Sequence, residues 1–102
     1  MEERLKNIHP GEVLNEEFLK PMEITAYRLA KETKIPQTAI SDIIKGRRSI
    51  TVSIALRFSK FFGTTPQFWL GLQTDYDLEE GEQHLKTELD NIHSIQELHL
   101  IH

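Results

Sequence analysis

Thr25-Ala26-Tyr27-Arg28-Leu29-Ala30-Lys31-Glu32-Thr33-Lys34-Ile35-Pro36-Gln37-Thr38-Ala39-Ile40-Ser41-Asp42-Ile43-Ile44 reads as two short helices joined at a tight corner. Thr25 is a natural N-cap, with Leu29 and Ala30 facing inward and Lys31 and Glu32 facing out. Lys34-Ile35 interrupts the pattern. Pro36 then stands where a helix start tolerates proline, and Ile40, Ile43 and Ile44 make the next apolar stripe. Gly46 suits the C′ position that closes it. The small Ala30 lets the second helix cross closely, Ile35 plugs the corner, and Ile40 and Ile43 pin the second helix to the first. The opposite face is left free to enter a DNA major groove. A plain αα-corner carries the same pattern, so the stretch alone leaves both readings open.

The flanking sequence is also helical. Pro10 suits a first helical position, and Val13, Leu14, Phe18 and Leu19 form a stripe that Pro21 is expected to end. Downstream, Ser49-Ile50-Thr51 leads into a helix with Ile54, Ala55, Phe58, Phe61 and Phe62 on one face, closed by Gly63. Thr65-Pro66 repeats the cap-plus-proline start for a fifth helix that buries Phe68, Trp69 and Leu72. Period-two alternation is absent, and so are Asn-Gly and Asp-Gly hairpin turns. Leu85, Leu89 and Ile92 fit a sixth helix, while residues 95–101 fit coil, strand or its continuation. The expectation is an all-α domain over residues 1–78 with an acidic extension over 79–102.

Composition narrows the class of function. A chain of 102 residues is one domain, and 38% hydrophobic with 27% charged residues is ordinary globular composition. The absence of cysteine excludes disulfides, thiolate metal sites and a cysteine nucleophile. Apolar runs stop at three residues, so no membrane span is expected, and Met1-Glu2-Glu3-Arg4 does not open a signal peptide. A cytoplasmic protein is expected. The net charge of −4 conceals a segregation. Residues 25–60 hold eight cations against two acids, whereas residues 61–102 hold one cation against eight acids. A basic centre in an acidic chain is the footprint of a localised anion-binding surface, nucleic acid above all.

A wider pattern sharpens this. His9-Pro10-Gly11-Glu12-Val13-Leu14-Asn15-Glu16-Glu17-Phe18-Leu19-Lys20-Pro21 resembles the opening of the HigA, or virulence-associated protein I, antitoxins of the phage-repressor-like helix-turn-helix class. The resemblance continues through Tyr27-Arg28-Leu29-Ala30, Ile44-Lys45-Gly46-Arg47-Arg48, Thr51 and Ala55-Leu56-Arg57. It closes with residues 61–73, around Gly63-Thr64-Thr65-Pro66-Gln67-Phe68-Trp69-Leu70, and with Tyr76-Asp77-Leu78. It implies a five-helix DNA-binding domain, a homodimer on a palindromic double-stranded operator, and a HigB-like mRNA interferase toxin as partner. Two departures stand out. The family's turn often has glycine where this chain has Lys34, so the corner is either a left-handed non-glycine residue or a different turn. The reading helix often has arginine where this chain has Gln37 and Ala39.

The candidate roles follow. Gln37, Thr38, Ala39 and Ser41 are candidates for base edges: glutamine can pair with adenine, and Ala39 offers a methyl to thymine. Thr25, Arg28, Lys45, Arg47 and Arg48 are candidates for phosphate, with an ion pair to Glu32 as the alternative for Arg28. Leu85, Leu89 and Ile92, without a place in a five-helix core, are candidates for a dimer or partner contact. The aromatic residues Phe58, Phe61, Phe62, Phe68 and Trp69 fit a core better than a single-strand stacking platform. His84, His93, His99 and His102 lack a metal-binding spacing. With no phosphate loop, nucleophile elbow or facing carboxylate pair either, neither cofactor nor catalytic site is expected. Two further readings remain: a stand-alone repressor, or a helical interaction module that binds no DNA.

Overall fold

A computed structural model describes residues 6–100, and for Leu100 the backbone only. Every regular element among the described residues is a helix: α1 (Pro10–Val13), a π-helical stretch (Leu14–Leu19), α2 (Lys20–Met22), α3 (Ala26–Thr33), α4 (Gln37–Ile44), α5 (Val52–Phe62), α6 (Pro66–His84), α7 (Lys86–Asp90) and α8 (Ile95–Leu100).

The first three pieces form one run, with right-handed helical backbone at both junctions, Leu14 and Leu19. Pro21 does not end it. Proline has no N–H to give the carbonyl four residues back, and its ring crowds that carbonyl. The backbone ahead of Pro21 widens into π register, Lys20 N–H bonding the Asn15 carbonyl, and the helix continues to Met22. Glu23, left-handed at φ 55°, then ends it.

Five helix starts among the described residues are capped as their residue types dictate, that of α8 by Ser94, which accepts the Glu97 N–H at 3.1 Å. Thr25, Thr51 and Thr65 accept the N–H of Arg28, Ile54 and Phe68 respectively, and His9 Nδ1 accepts that of Gly11 at 2.9 Å. α1 packs on α4 and α6, α3 on α4 and α5, and α5 on α6. Leu14, Leu29, Ile40, Ile43, Phe58 and Trp69 are fully enclosed between them. Two of the five aromatics expected inside are not. Phe61 and Phe68 stay 36% and 40% exposed, and Phe18, from the π stretch, takes a place against Phe62 and Trp69 instead.

α6 passes through residues 78 and 79 without a break, so no linker separates the domain from the extension there. The sixth-helix expectation resolves into two short helices, α7 and α8, and the alternatives of coil or strand for residues 95–100 give way to helix; Ile101 and His102 lie outside the described residues. The molecule is long, 62 × 32 × 21 Å with a radius of gyration of 18.2 Å. A compact chain of this length would have about 13 Å.

Candidate nucleic-acid interface

The corner between α3 and α4 is a left-handed turn at a non-glycine residue: Lys34 has φ 59°. The N–H of Ile35 returns to the Ala30 carbonyl at 3.1 Å, and the buried Ile35 side chain plugs the corner as its position demands. A guanidinium from a third helix completes the turn. Arg57 Nη1 donates to the carbonyls of Thr33 at 2.8 Å and Lys34 at 3.3 Å.

α4 leaves Gln37 and Thr38 exposed at its first turn and Ser41 half-buried one turn on. Unlike α1, α3, α5 and α6, α4 has no side-chain N-cap, since Pro36 offers none. The Ala39 N–H turns back to the Pro36 carbonyl at 3.0 Å, while the amides of Gln37 and Thr38 remain available to an anion, as helix N-termini allow. Ala39 is not on this face. It is only 4% exposed, packed in the core with Ile40 and Ile43, and its methyl cannot reach a base. The expected role is corrected: at this position a small residue serves close helix packing.

α4 ends in a paired closure. Gly46 N–H bonds the Ile43 carbonyl at 3.0 Å and Arg47 N–H the Asp42 carbonyl at 2.8 Å, with Gly46 left-handed at φ 77°. The chain thus turns sharply and presents Lys45, Arg47 and Arg48, all exposed, beside the end of α4. Thr25 and Arg28 lie at the start of α3, both exposed. Arg28 takes up the alternative considered for it, with Nε 2.8 Å from Glu32 Oε2. Such an exposed pair is weak, so a phosphate can compete for the guanidinium.

Two residues that sequence reasoning left without a role hold this surface in place. Arg57 is one. Gln73 is the other: buried one turn after Trp69, it accepts the Ile50 N–H at 2.7 Å and donates to Asp77 at 2.9 Å. A single amide thereby ties the end of the cationic loop to α6. A lone glutamine on the buried stripe of α6 was the available signal. Gln73→Leu should cost about 2 kcal/mol, because it strands a buried N–H. Chemical denaturation checks this, and a loss under about 0.5 kcal/mol would remove the tie.

His9 supports the same loop from below. Its ring stands edge-on to Tyr76 with centroids 4.9 Å apart, and a Cβ at Gly46 would lie 3.7 Å from it. Burial holds the imidazole below its ordinary pKa of 6.5, against an upward pull from the Asp77 carboxylate. Between the lowered folded value and 6.5, the unfolded chain binds a proton that the folded chain refuses. This contribution to stability is full above 6.5 and is lost as pH falls through the folded value. Acidification from about pH 7.5 to about pH 5 should therefore destabilise the parent more than His9→Asn, which keeps a capping oxygen but does not titrate. Parallel pH profiles would assign the effect to other groups.

Leu85, Leu89 and Ile92 are 45%, 46% and 66% exposed, and Ile95 and Leu98 are also open to solvent. Among the described residues, no helix is long and apolar enough to cross a membrane, and no group of three or more His, Asp or Glu side chains is placed to hold a metal ion. The pair His99 and His102 ends outside the described residues.

This arrangement, a corner-joined helix pair with cations at both ends of the second helix, is that of the helix-turn-helix class. The helix-turn-helix family matches residues 16–69. Virulence-associated protein I of Dichelobacter nodosus is 47% identical over 76 residues, covering 74% of this chain and 70% of that protein. The Pseudomonas aeruginosa antitoxin HigA, solved with the higBA promoter, is 32% identical with a TM-score of 0.85, over 88% of this chain and 99% of that one. An addiction-module antidote protein of the HigA family from Coxiella burnetii is 41% identical with a TM-score of 0.82, over 88% and 98%. The chain belongs to the HigA and virulence-associated protein I family of helix-turn-helix proteins.

Proposed function

We propose that this protein is a sequence-specific DNA-binding repressor, and not an enzyme, that serves as the antitoxin of a HigB–HigA-type pair and represses its own operon. The observation that carries this is the face of α4. Gln37 and Thr38 stand exposed with their own amides uncapped, with Lys45 and Arg47 after the far end, Arg48 in the cleft beside Pro36 and Ala39, and Thr25 and Arg28 on the neighbouring helix. The first pair suits base edges and the flanking residues suit phosphate. That a HigA relative is solved with promoter DNA supports DNA binding by this fold.

A single helix pair reads few base pairs, so the protein acts as a homodimer on a palindromic operator. The exposed Leu85, Leu89 and Ile92 supply the contact for a second copy or for the toxin. The toxin partner is a HigB-like mRNA interferase, a small basic protein that the acidic residues of the extension would steer. The reading places the protein in the cytoplasm, where its operon is transcribed.

The test compares two duplexes, the DNA immediately upstream of the protein's own reading frame and a random sequence of equal length, at several salt concentrations. Gln37→Ala should cost on the order of 1–3 kcal/mol on the upstream DNA and little on random DNA, leaving the salt slope unchanged. Arg47→Ala should weaken both equally and reduce the slope by about one. If Gln37→Ala lowers both affinities by the same factor, α4 does not read bases.

A further inference from the structure

We infer that Arg57 is a positioning residue for DNA recognition: from α5, it sets the angle at which α4 is presented. The inference rests on the reading of α4 given above. α4 is joined to its surroundings by the turn at Lys34 on one side and the loop after Gly46 on the other, and packs on α1 and α3, whereas α5 packs on α3 and α6. Arg57 bridges that division. Its Nη1 reaches back across more than twenty residues of sequence to the carbonyls of Thr33 and Lys34, one at the last turn of α3 and the next at the left-handed corner itself. Helix-end carbonyls lack intrahelical partners, and a cation there also meets the negative end of the helix dipole.

The guanidinium is held in that pose from its own helix, since Nε donates to Ser53 Oγ at 3.3 Å. With Nε and Nη1 both committed within the molecule, Arg57 is placed to hold the turn. Its neighbour in the same cleft, Arg48, makes none of these bonds. The corner has particular need of such a clamp. Lys34 occupies a conformation that only glycine adopts freely, so the turn has a conformational cost that a glycine-containing corner would lack. The clamp opposes relaxation of that turn, and relaxation would swing Gln37 and Thr38 away from the bases.

The experiment uses the full chain with the same two duplexes, at several salt concentrations. Arg57→Met keeps the apolar stem and removes the donors. It should lower binding to the upstream DNA about tenfold, leave random DNA within about twofold, and keep the salt slope. Arg57→Lys keeps the charge but not the planar fork, and should regain only part of the lost preference. A phosphate contact would behave differently: both duplexes would weaken together, the slope would fall by about one, and lysine would restore both. That result overturns the inference.

Should Arg57→Met fold poorly, the same measurement in a Gly71→Ala background decides, since alanine there stabilises α6 with nothing within 4 Å of the new methyl and leaves the corner untouched. Stability is expected to return there while the preference for upstream DNA stays low. If the regained stability restores the preference as well, Arg57 is only a stabiliser and the inference fails. Gln37→Ala is run alongside: if it leaves the ratio between duplexes unchanged, the reading of α4 fails and the inference with it. If it narrows that ratio and Arg57→Met does not, the inference alone fails.

Discussion

Trp69→Ala is expected to remove about 4 kcal/mol of stability, a large part of what a domain of this size possesses. Trp69 is fully buried where three segments meet. Its ring lies 4.9 Å from Phe18 of the π stretch, 5.1 Å from Phe58 of α5 and 5.0 Å from Phe68 of its own helix. Its indole N–H donates to Thr64 Oγ1 at 2.7 Å, so truncation also takes away the partner of a hydroxyl. Alanine leaves a void the size of an indole among these rings, and the paired-ring contacts are lost besides. Phe61→Ala, at a more exposed position, should cost under about 1 kcal/mol. Urea denaturation of the two variants checks the contrast. A Trp69→Ala cost below that of Phe61→Ala would mean that the aromatic cluster is not what joins the N-terminal helix to α5 and α6.

How far the sequence disclosed this arrangement differs from part to part. Helix starts were legible because threonine at 25, 51 and 65 has one dominant capping use, and all three perform it. The helix-turn-helix was legible for the same local reason: Ala30, Ile35, Ile40 and Ile43 are small or apolar at positions where the corner needs them, and all are buried. Pro21 misled because a proline reads as a stop, whereas a wider π turn ahead of it accommodates one inside the run. Ala39 misled because an i, i+1 neighbour of Thr38 seems to share its face, while the helical rotation of about 100° turns it inward. Arg57 and Gln73 were hidden for a different reason. Each bonds the backbone of a residue more than twenty positions away, and no local periodicity encodes which carbonyl or amide a side chain will meet. The charge segregation marked a region but could not separate Arg57, whose guanidinium is turned onto the protein's own carbonyls, from Arg47 and Arg48, whose side chains make no such bond.

Gly11→Ala should be the most informative of the single-atom changes, with an expected loss of about 3 kcal/mol and a fall in Tm of roughly 12–24 °C. A Cβ at Gly11 would stand 1.7 Å from the Ile43 carbonyl oxygen and 2.5 Å from its carbon. Both are backbone atoms, so no rotamer change relieves the overlap. The carbonyl is not free to swing either, because it accepts the Gly46 N–H that closes α4. The first helix must therefore move away from the end of α4, and the loop carrying Lys45, Arg47 and Arg48 moves with it. Weaker binding to both upstream and random DNA should accompany the lost stability, since the displaced groups are those assigned to phosphate. Gly71→Ala in α6 is the control, with nothing within 4 Å of the new methyl. Alanine is the better helix former by about 1 kcal/mol, so propensity alone predicts that both changes stabilise. Opposite signs at the two positions isolate the steric term at Gly11. If Gly11→Ala is as stable as the parent, α1 does not lie against the carbonyl end of α4, and the support described for the cationic loop is wrong at its base.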